Sequence, residues 1–224
     1  MVTGASGLAS ASVMAAPGAR RGTRPSSRRR RIGRCGPVAV RASTSSPGGG
    51  KLVGGNRPTS PKAWQIQFKA LTENNVRSVA SSDIEKLVQA RGAVILDIRP
   101  ANEFSAGHLE GSVNAPLYQP IEGWSLQQTM RKATFAFFGI FNGTEANENF
   151  EQEVRALADP DDEVVLVCNT GGTLDKNQKS QARSQSRSLM AAYEMIGFGY
   201  KKLRFLEGGY NQWCVEEREV IVTK

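Results

Sequence analysis

VVLVCNTGGTLDKNQKSQARSQSRSLMAA, residues 164–192, begins as an unbroken apolar run, Val164 to Val167, and ends in helical spacing from Arg187 through Tyr193. A short run of β-branched and aliphatic residues fits a strand buried on both faces. That strand delivers Cys168 at its carboxyl end, where open α/β sheets gather ligands. The residues between are polar and rich in Gly, Ser, Gln and Lys up to about Gln185. A helix start beyond them offers unpaired N–H groups and the positive end of a dipole to an anion. Lys176, Lys179, Arg183 and Arg187 add positive charge, and only Asp175 opposes them between Cys168 and Arg187. Such a field favours the thiolate, which is the nucleophilic form of cysteine. A cysteine closing an apolar strand also serves as a small buried hydrophobe, so this stretch alone leaves both roles open.

Charge is distributed very unevenly. The formal net charge of the 224 residues is +8, yet residues 1–72 hold 13 Lys and Arg and no acidic residue, leaving 16 basic against 21 acidic residues and about −5 on the remainder. Residues 1–19 are small, hydroxylated or apolar, and Arg20, Arg21, Arg24, Arg28 to Arg31 and Arg34 follow. This Arg-rich, Ser-containing, acid-free composition predicts an organellar transit peptide over residues 1–42. Val40-Arg41-Ala42 before Ser43 resembles the stromal processing pattern of plastid precursors, so the expected location is the chloroplast, in the stroma or at the thylakoid surface. The competing reading of Arg28 to Arg31 is a nuclear signal or nucleic-acid arm; import accounts for more residues, and no nucleic-acid partner is expected. Ser43 to Pro61 is rich in Gly, Ser and Pro and reads as a flexible linker, with residues 43–77 as linker and lead-in. No stretch has the length and apolarity of a membrane span. Of Cys35, Cys168 and Cys214, Cys35 is expected to leave with the transit peptide, and a redox bridge between the other two stays open.

The folded part is expected to form one α/β domain around a central, mostly parallel sheet with helices on both faces. Ser81 or Ser82 caps a short helix with Ile84, Leu87 and Val88 on one face, and Gly92 ends it. Ala93 to Asp97 is a second buried strand, Asn102 to Ala106 a short segment, and Val113 to Pro116 a brief strand stopped by proline. Trp124 to Phe141 and Glu148 to Leu157 read as helices, the second with Phe150, Val154 and Leu157 on one face.

DIRPANEFSAGHLEGSVNAP, residues 97–116, resembles the first signature of the rhodanese-like domain, with Asp-x-Arg, Glu-Phe, Gly-His, Gly-Ser and Asn-x-Pro in register. YKKLRFLEGGYNQW, residues 200–213, resembles that family's last strand and its Leu-x-Gly-Gly-x-x-x-Trp helix start. The resemblance covers residues 78–219, leaving 220–224 as a tail. It implies that Cys168 accepts a sulfane sulfur from a small donor such as thiosulfate and passes it, as a persulfide, to a thiol or other thiophilic acceptor. It also implies that the loop N–H groups of Asn169, Thr170, Gly171, Gly172 and Thr173, with Arg187, hold the anion. Asp97, Arg99 and His108 take structural roles. No cofactor and no metal site is implied, and one histidine with two remaining cysteines makes a metal cluster improbable.

Two departures from the family stand out. Residues 169–186 put 18 positions between Cys168 and Arg187, where the family uses a short loop. The sixth residue after Cys168 is Leu174, which excludes the fixed-length Cys–Arg loop of the related cell-cycle phosphatases. The second departure is an insertion at about 118–160, which resembles a plant-type plastid subgroup. Its Phe-rich piece, Phe135 to Phe141, reads as core or as a lid over Cys168, with a thylakoid-surface or partner contact as the competing reading. The long loop competes as a partner-binding loop, so a partner-binding or redox-sensing module weak or inactive in sulfur transfer stays open as the alternative function.

Overall fold

A computed structural model of the chain describes residues 31–33, 35, 51–120, 144–175, 177 and 185–223. The expected helix Trp124 to Phe141, most of the long loop and most of residues 1–42 lie outside them.

Five described strands form a wholly parallel sheet in the order β2 (Arg77–Val79), β8 (Lys202–Leu206), β7 (Glu163–Val167), β3 (Val94–Asp97), β4 (Val113–Asn114). The apolar runs at 94–97 and 163–167 sit side by side in its middle, as strands buried on both faces must. Alternation then sorts their side chains. Val164, Leu166 and Cys168 join one apolar cluster with α1 (Pro61–Glu73), α4 (Phe150–Leu157) and α5 (Arg187–Gly197). Val165 and Val167 face the other cluster, with Ile84 of α2 (Ile84–Arg91) and Trp213 of α6 (Gly209–Val215). A short helix, α3 (Ala101–Ala106), follows β3. Two further pairs are antiparallel: β5 (Tyr118–Pro120) with β6 (Thr144–Ala146), and β1 (Arg31–Gly33) with β9 (Val220–Val222). Among the described residues no helix is long and apolar enough to cross a membrane.

Several expectations change. α1 lies within the stretch read as linker and lead-in, yet its Ala63, Trp64, Gln67 and Leu71 are buried and it packs on α5. Its apolar period is interrupted by Gln67, which hydrogen-bonds Pro58 O and Gln185, so the buried face does not read as apolar. Ser60 caps it through Ala63 N–H, with proline at the first turn. Ser81 does not cap α2; its hydroxyl donates to Glu216, and a single 3-10 turn leads into the helix. Gly92 ends α2 in the left-handed conformation, with φ of 63°. Val88 and Leu157, each in the last turn of an eight-residue helix, are exposed rather than packed. Of the stretch read as a tail, Val220–Val222 is strand β9, with Val220 and Ile221 buried and Ile221 bridging His108.

The cysteines pair differently from the open alternative in the sequence. Cys214 is bonded to Cys35, with the two Cα atoms 5.4 Å apart, and Cys168 is a free buried thiol. Cys168 packs in the cluster beneath α5, whereas Cys35 contacts the cluster on the other face of the sheet, so the sheet separates Cys168 from the disulfide.

Candidate active site

Cys168 leaves the carboxyl end of β7 only 1% exposed. The next three residues turn back on it, so that the Gly171 N–H donates to Cys168 Sγ over 3.3 Å. Gly171 has φ of 72°, and a Cβ there would stand 2.3 Å from Leu206 O and 2.8 Å from the N of Gly208 and of Gly209. Only glycine fits that approach. The Gly208-Gly209 pair answers from the opposite side: a Cβ on Gly209, whose φ is 62°, would meet Cys168 O at 2.4 Å and Gly171 N at 2.7 Å. The first turn of α6 then spends its unpaired amides on the loop, Tyr210 N–H on Cys168 O at 2.8 Å and Asn211 N–H on Asn169 O at 3.0 Å. Asn169 is tied on its other flank to Glu103 of α3 at 2.9 Å.

The long loop is closed at its base. Ser186, the N-cap of α5, accepts from Leu189 N–H at 3.2 Å and donates to Gly171 O at 2.7 Å. The start of α5 therefore rejoins the cysteine turn directly, although 18 residues of chain separate Cys168 from Arg187. Gly172 N–H bonds Thr170 O, and Thr173 Oγ1 accepts from Asp175 N–H. Of the expected loop amides, the described hydrogen bonds bring that of Gly171 onto the sulfur. Thr170 is exposed and Thr173 half-buried.

Arg187 opens α5 with its guanidinium 5.8 Å from the ring centroid of Tyr118. Tyr118 is buried, and desolvation first, then the Glu194 carboxylate, push its hydroxyl up to about 12, with Arg187 acting in the opposite direction. Ser188, the next residue, is fully buried, and its Oγ has no hydrogen-bond partner among the described residues.

Asp97, Arg99 and His108 form a separate cluster. The Arg99 guanidinium binds both Asp97 oxygens, at 2.6 to 3.1 Å, and Gly107 O at 2.7 Å, with Tyr210's ring over it at 3.7 Å. Asn114 Nδ2 donates to the carbonyls of both Asp97 and Arg99. His108 stacks on Phe104 and holds Phe104 O through Nδ1 at 2.9 Å.

Sequence reasoning passed over Tyr118, Glu103 and the capping role of Ser186. A serine directly before a helical run is an N-cap signal that was legible, whereas Tyr118 of β5 and Glu103 of α3 meet Arg187 and Asn169 only through tertiary packing.

A family model for the rhodanese-like domain matches residues 81–216. The chain is 39% identical over 163 residues to a chloroplastic rhodanese-like domain-containing protein 14 of Arabidopsis thaliana, covering 71% of this chain and 73% of that protein. It is 29% identical over 140 residues to thiosulfate sulfurtransferase 18 of the same plant, covering 62% of this chain and 78% of that one. A human single-domain sulfurtransferase structure superimposes with a TM-score of 0.38 at 20% identity, covering 62% of this chain and 96% of that chain.

Proposed function

The chain belongs to the rhodanese-like domain family, and on that footing we propose that it is a sulfurtransferase working through a persulfide on Cys168. The observation that carries this reading is the turn that aims Gly171 N–H at Cys168 Sγ while Ser186 holds the start of α5 against it. In the first half-reaction the Cys168 thiolate attacks the outer sulfur of thiosulfate. A new S–S bond forms, the donor's S–S bond breaks, and sulfite leaves with the electron pair. In the second, an acceptor thiolate or cyanide attacks the outer sulfur of the persulfide, and Cys168 departs as thiolate. Neither half requires a proton from His108, whose Nδ1 is engaged by Phe104 O. An amide donor beside the sulfur stabilises the negative charge that returns to it.

The relative named chloroplastic, together with the acid-free Arg-rich leader, supports import into the chloroplast with residues 1–42 as transit peptide. Removal of those residues would take β1 and Cys35 away, opening the edge of β9 and leaving Cys214 as a thiol.

The test is turnover with thiosulfate and cyanide, read as thiocyanate, for the wild type and Cys168→Ser. Activity lost in the variant, with its melting temperature kept, supports the reading. Equal activity in both overturns it.

A further inference from the structure

A second buried polar group in the site has no task in the resting protein. Ser188 is the second residue of α5, and Ser188, Ala191, Ala192 and Met195 follow the i, i+3, i+4, i+7 pattern with every member fully buried. Ala191, Ala192 and Met195 of this row belong to the same apolar cluster as Val164, Leu166 and Cys168. α5 starts at the carboxyl edge of the sheet, where Cys168 ends β7, and Ser186 fixes that start to the cysteine turn. Ser188 is thus the first residue of that buried row, at the end of α5 that Ser186 ties to the cysteine turn. Its Oγ makes no hydrogen bond in this state, whereas the hydroxyl of Ser186 two residues earlier is used twice.

Leaving a buried hydroxyl unpaired costs about 1–3 kcal/mol, so such groups are rare and call for a cause. The thiol does not serve as its partner in this state. A persulfide lengthens the cysteine side chain by one S–S bond, about 2 Å, and places an anionic sulfur beyond Sγ. Resting on the sulfurtransferase reading, we propose that Ser188 Oγ is the binding hydroxyl for the transferred sulfur, donating its hydrogen bond to the outer sulfur of the Cys168 persulfide and idle until that sulfur arrives. The hydroxyl complements Gly171 N–H, which engages Sγ itself. No atom is transferred to or from Ser188; it favours the loaded state over the free thiol.

The experiment loads the full chain, as wild type, Ser188→Ala and Ser188→Thr, at fixed ratios of thiosulfate to sulfite. Intact and peptide mass spectrometry then read the fraction of Cys168 carrying an extra sulfur. A hydrogen bond to a charged partner predicts that Ser188→Ala lowers the loading equilibrium between about tenfold and a hundredfold, with Ser188→Thr restoring most of it. The unloaded Ser188→Ala protein should melt at or above the wild-type temperature, since it loses an unsatisfied polar group and no bond. Wild-type loading by Ser188→Ala, or a fall in its unloaded melting temperature, overturns the assignment. A wild type that takes up no sulfur overturns this assignment and the sulfurtransferase reading together, whereas loading shared equally by wild type and Ser188→Ala removes the role of Ser188 alone.

Discussion

Two buried polar clusters meet at Tyr210 of α6, and they differ in how completely their groups are used. Around Asp97 the accounting closes: the carboxylate takes the Arg99 side chain and backbone N–H, the guanidinium also reaches Gly107 O, and Asn114 closes the carbonyls of both residues. Around Cys168 it does not. One loop amide meets the sulfur, Ser186 closes the base of the long loop, and Ser188 Oγ stands unpartnered. A saturated cluster has no bonding capacity left for a ligand, so its work is to hold the fold. An unsaturated one at a sheet's carboxyl edge has the capacity to bind something, which is why the second cluster is the candidate for chemistry. α6 joins them, since Tyr210 lays its ring on Arg99 and gives its N–H to Cys168 O.

The contrast is sharpest where a partner is removed from the saturated side. Asp97→Ala would leave the Arg99 charge buried and uncompensated, and is expected to cost about 3–5 kcal/mol in denaturant unfolding, while the molecules that remain folded still take up sulfur. Gly209→Ala strikes the junction between the clusters. The left-handed conformation alone costs about 1–2 kcal/mol for a residue with Cβ, and the methyl would press on Cys168 O. That variant should lose sulfur uptake as well as stability, and undiminished uptake would show that the turn is not what positions the thiol. Ser186→Ala should cost about 1 kcal/mol for the lost helix cap and open the base of the long loop, seen as faster proteolysis between residues 172 and 185.

The smallest effect concerns pH. Tyr118 holds its proton more tightly folded than unfolded, its hydroxyl being pushed up to about 12 from an ordinary value of 10. Its contribution is therefore complete below pH 10 and is lost as pH rises from 10 toward 12. Tyr118→Phe should flatten that alkaline decline in melting temperature and leave the curve near neutrality in place. An unchanged alkaline limb would mean that Tyr118 does not titrate with unfolding.

The sequence disclosed the saturated cluster and the thiol more readily than what joins them. Apolar runs at 94–97 and 164–167 marked the two central strands because a strand covered on both faces has no polar alternation to dilute its signal. The signature from Asp97 to Pro116 and the Gly208-Gly209 pair located the rest of the sheet edge. α1 escaped because a buried glutamine sits in its core-facing row, and β9 because three residues are too few to show a period. The 18 positions between Cys168 and Arg187 read as a departure from the family's short loop, since spacing along the chain carries no information on where a loop returns. The Ser186–Gly171 bond shows where it does return, on the cysteine turn itself. The missing partner of Ser188 is a fact of packing among α5 and the sheet, and no local pattern encodes it.

The central claim is that the unsaturated cluster is a sulfur carrier centred on Cys168. Its most direct test is intact-mass spectrometry of the chain after incubation with thiosulfate, beside Cys168→Ser, with peptide mapping of the adduct. The account predicts a gain of one sulfur, about 32 Da, on the wild type alone and on the peptide containing Cys168. No adduct with thiosulfate or with a stronger persulfide donor, or an equal adduct on Cys168→Ser, would contradict it.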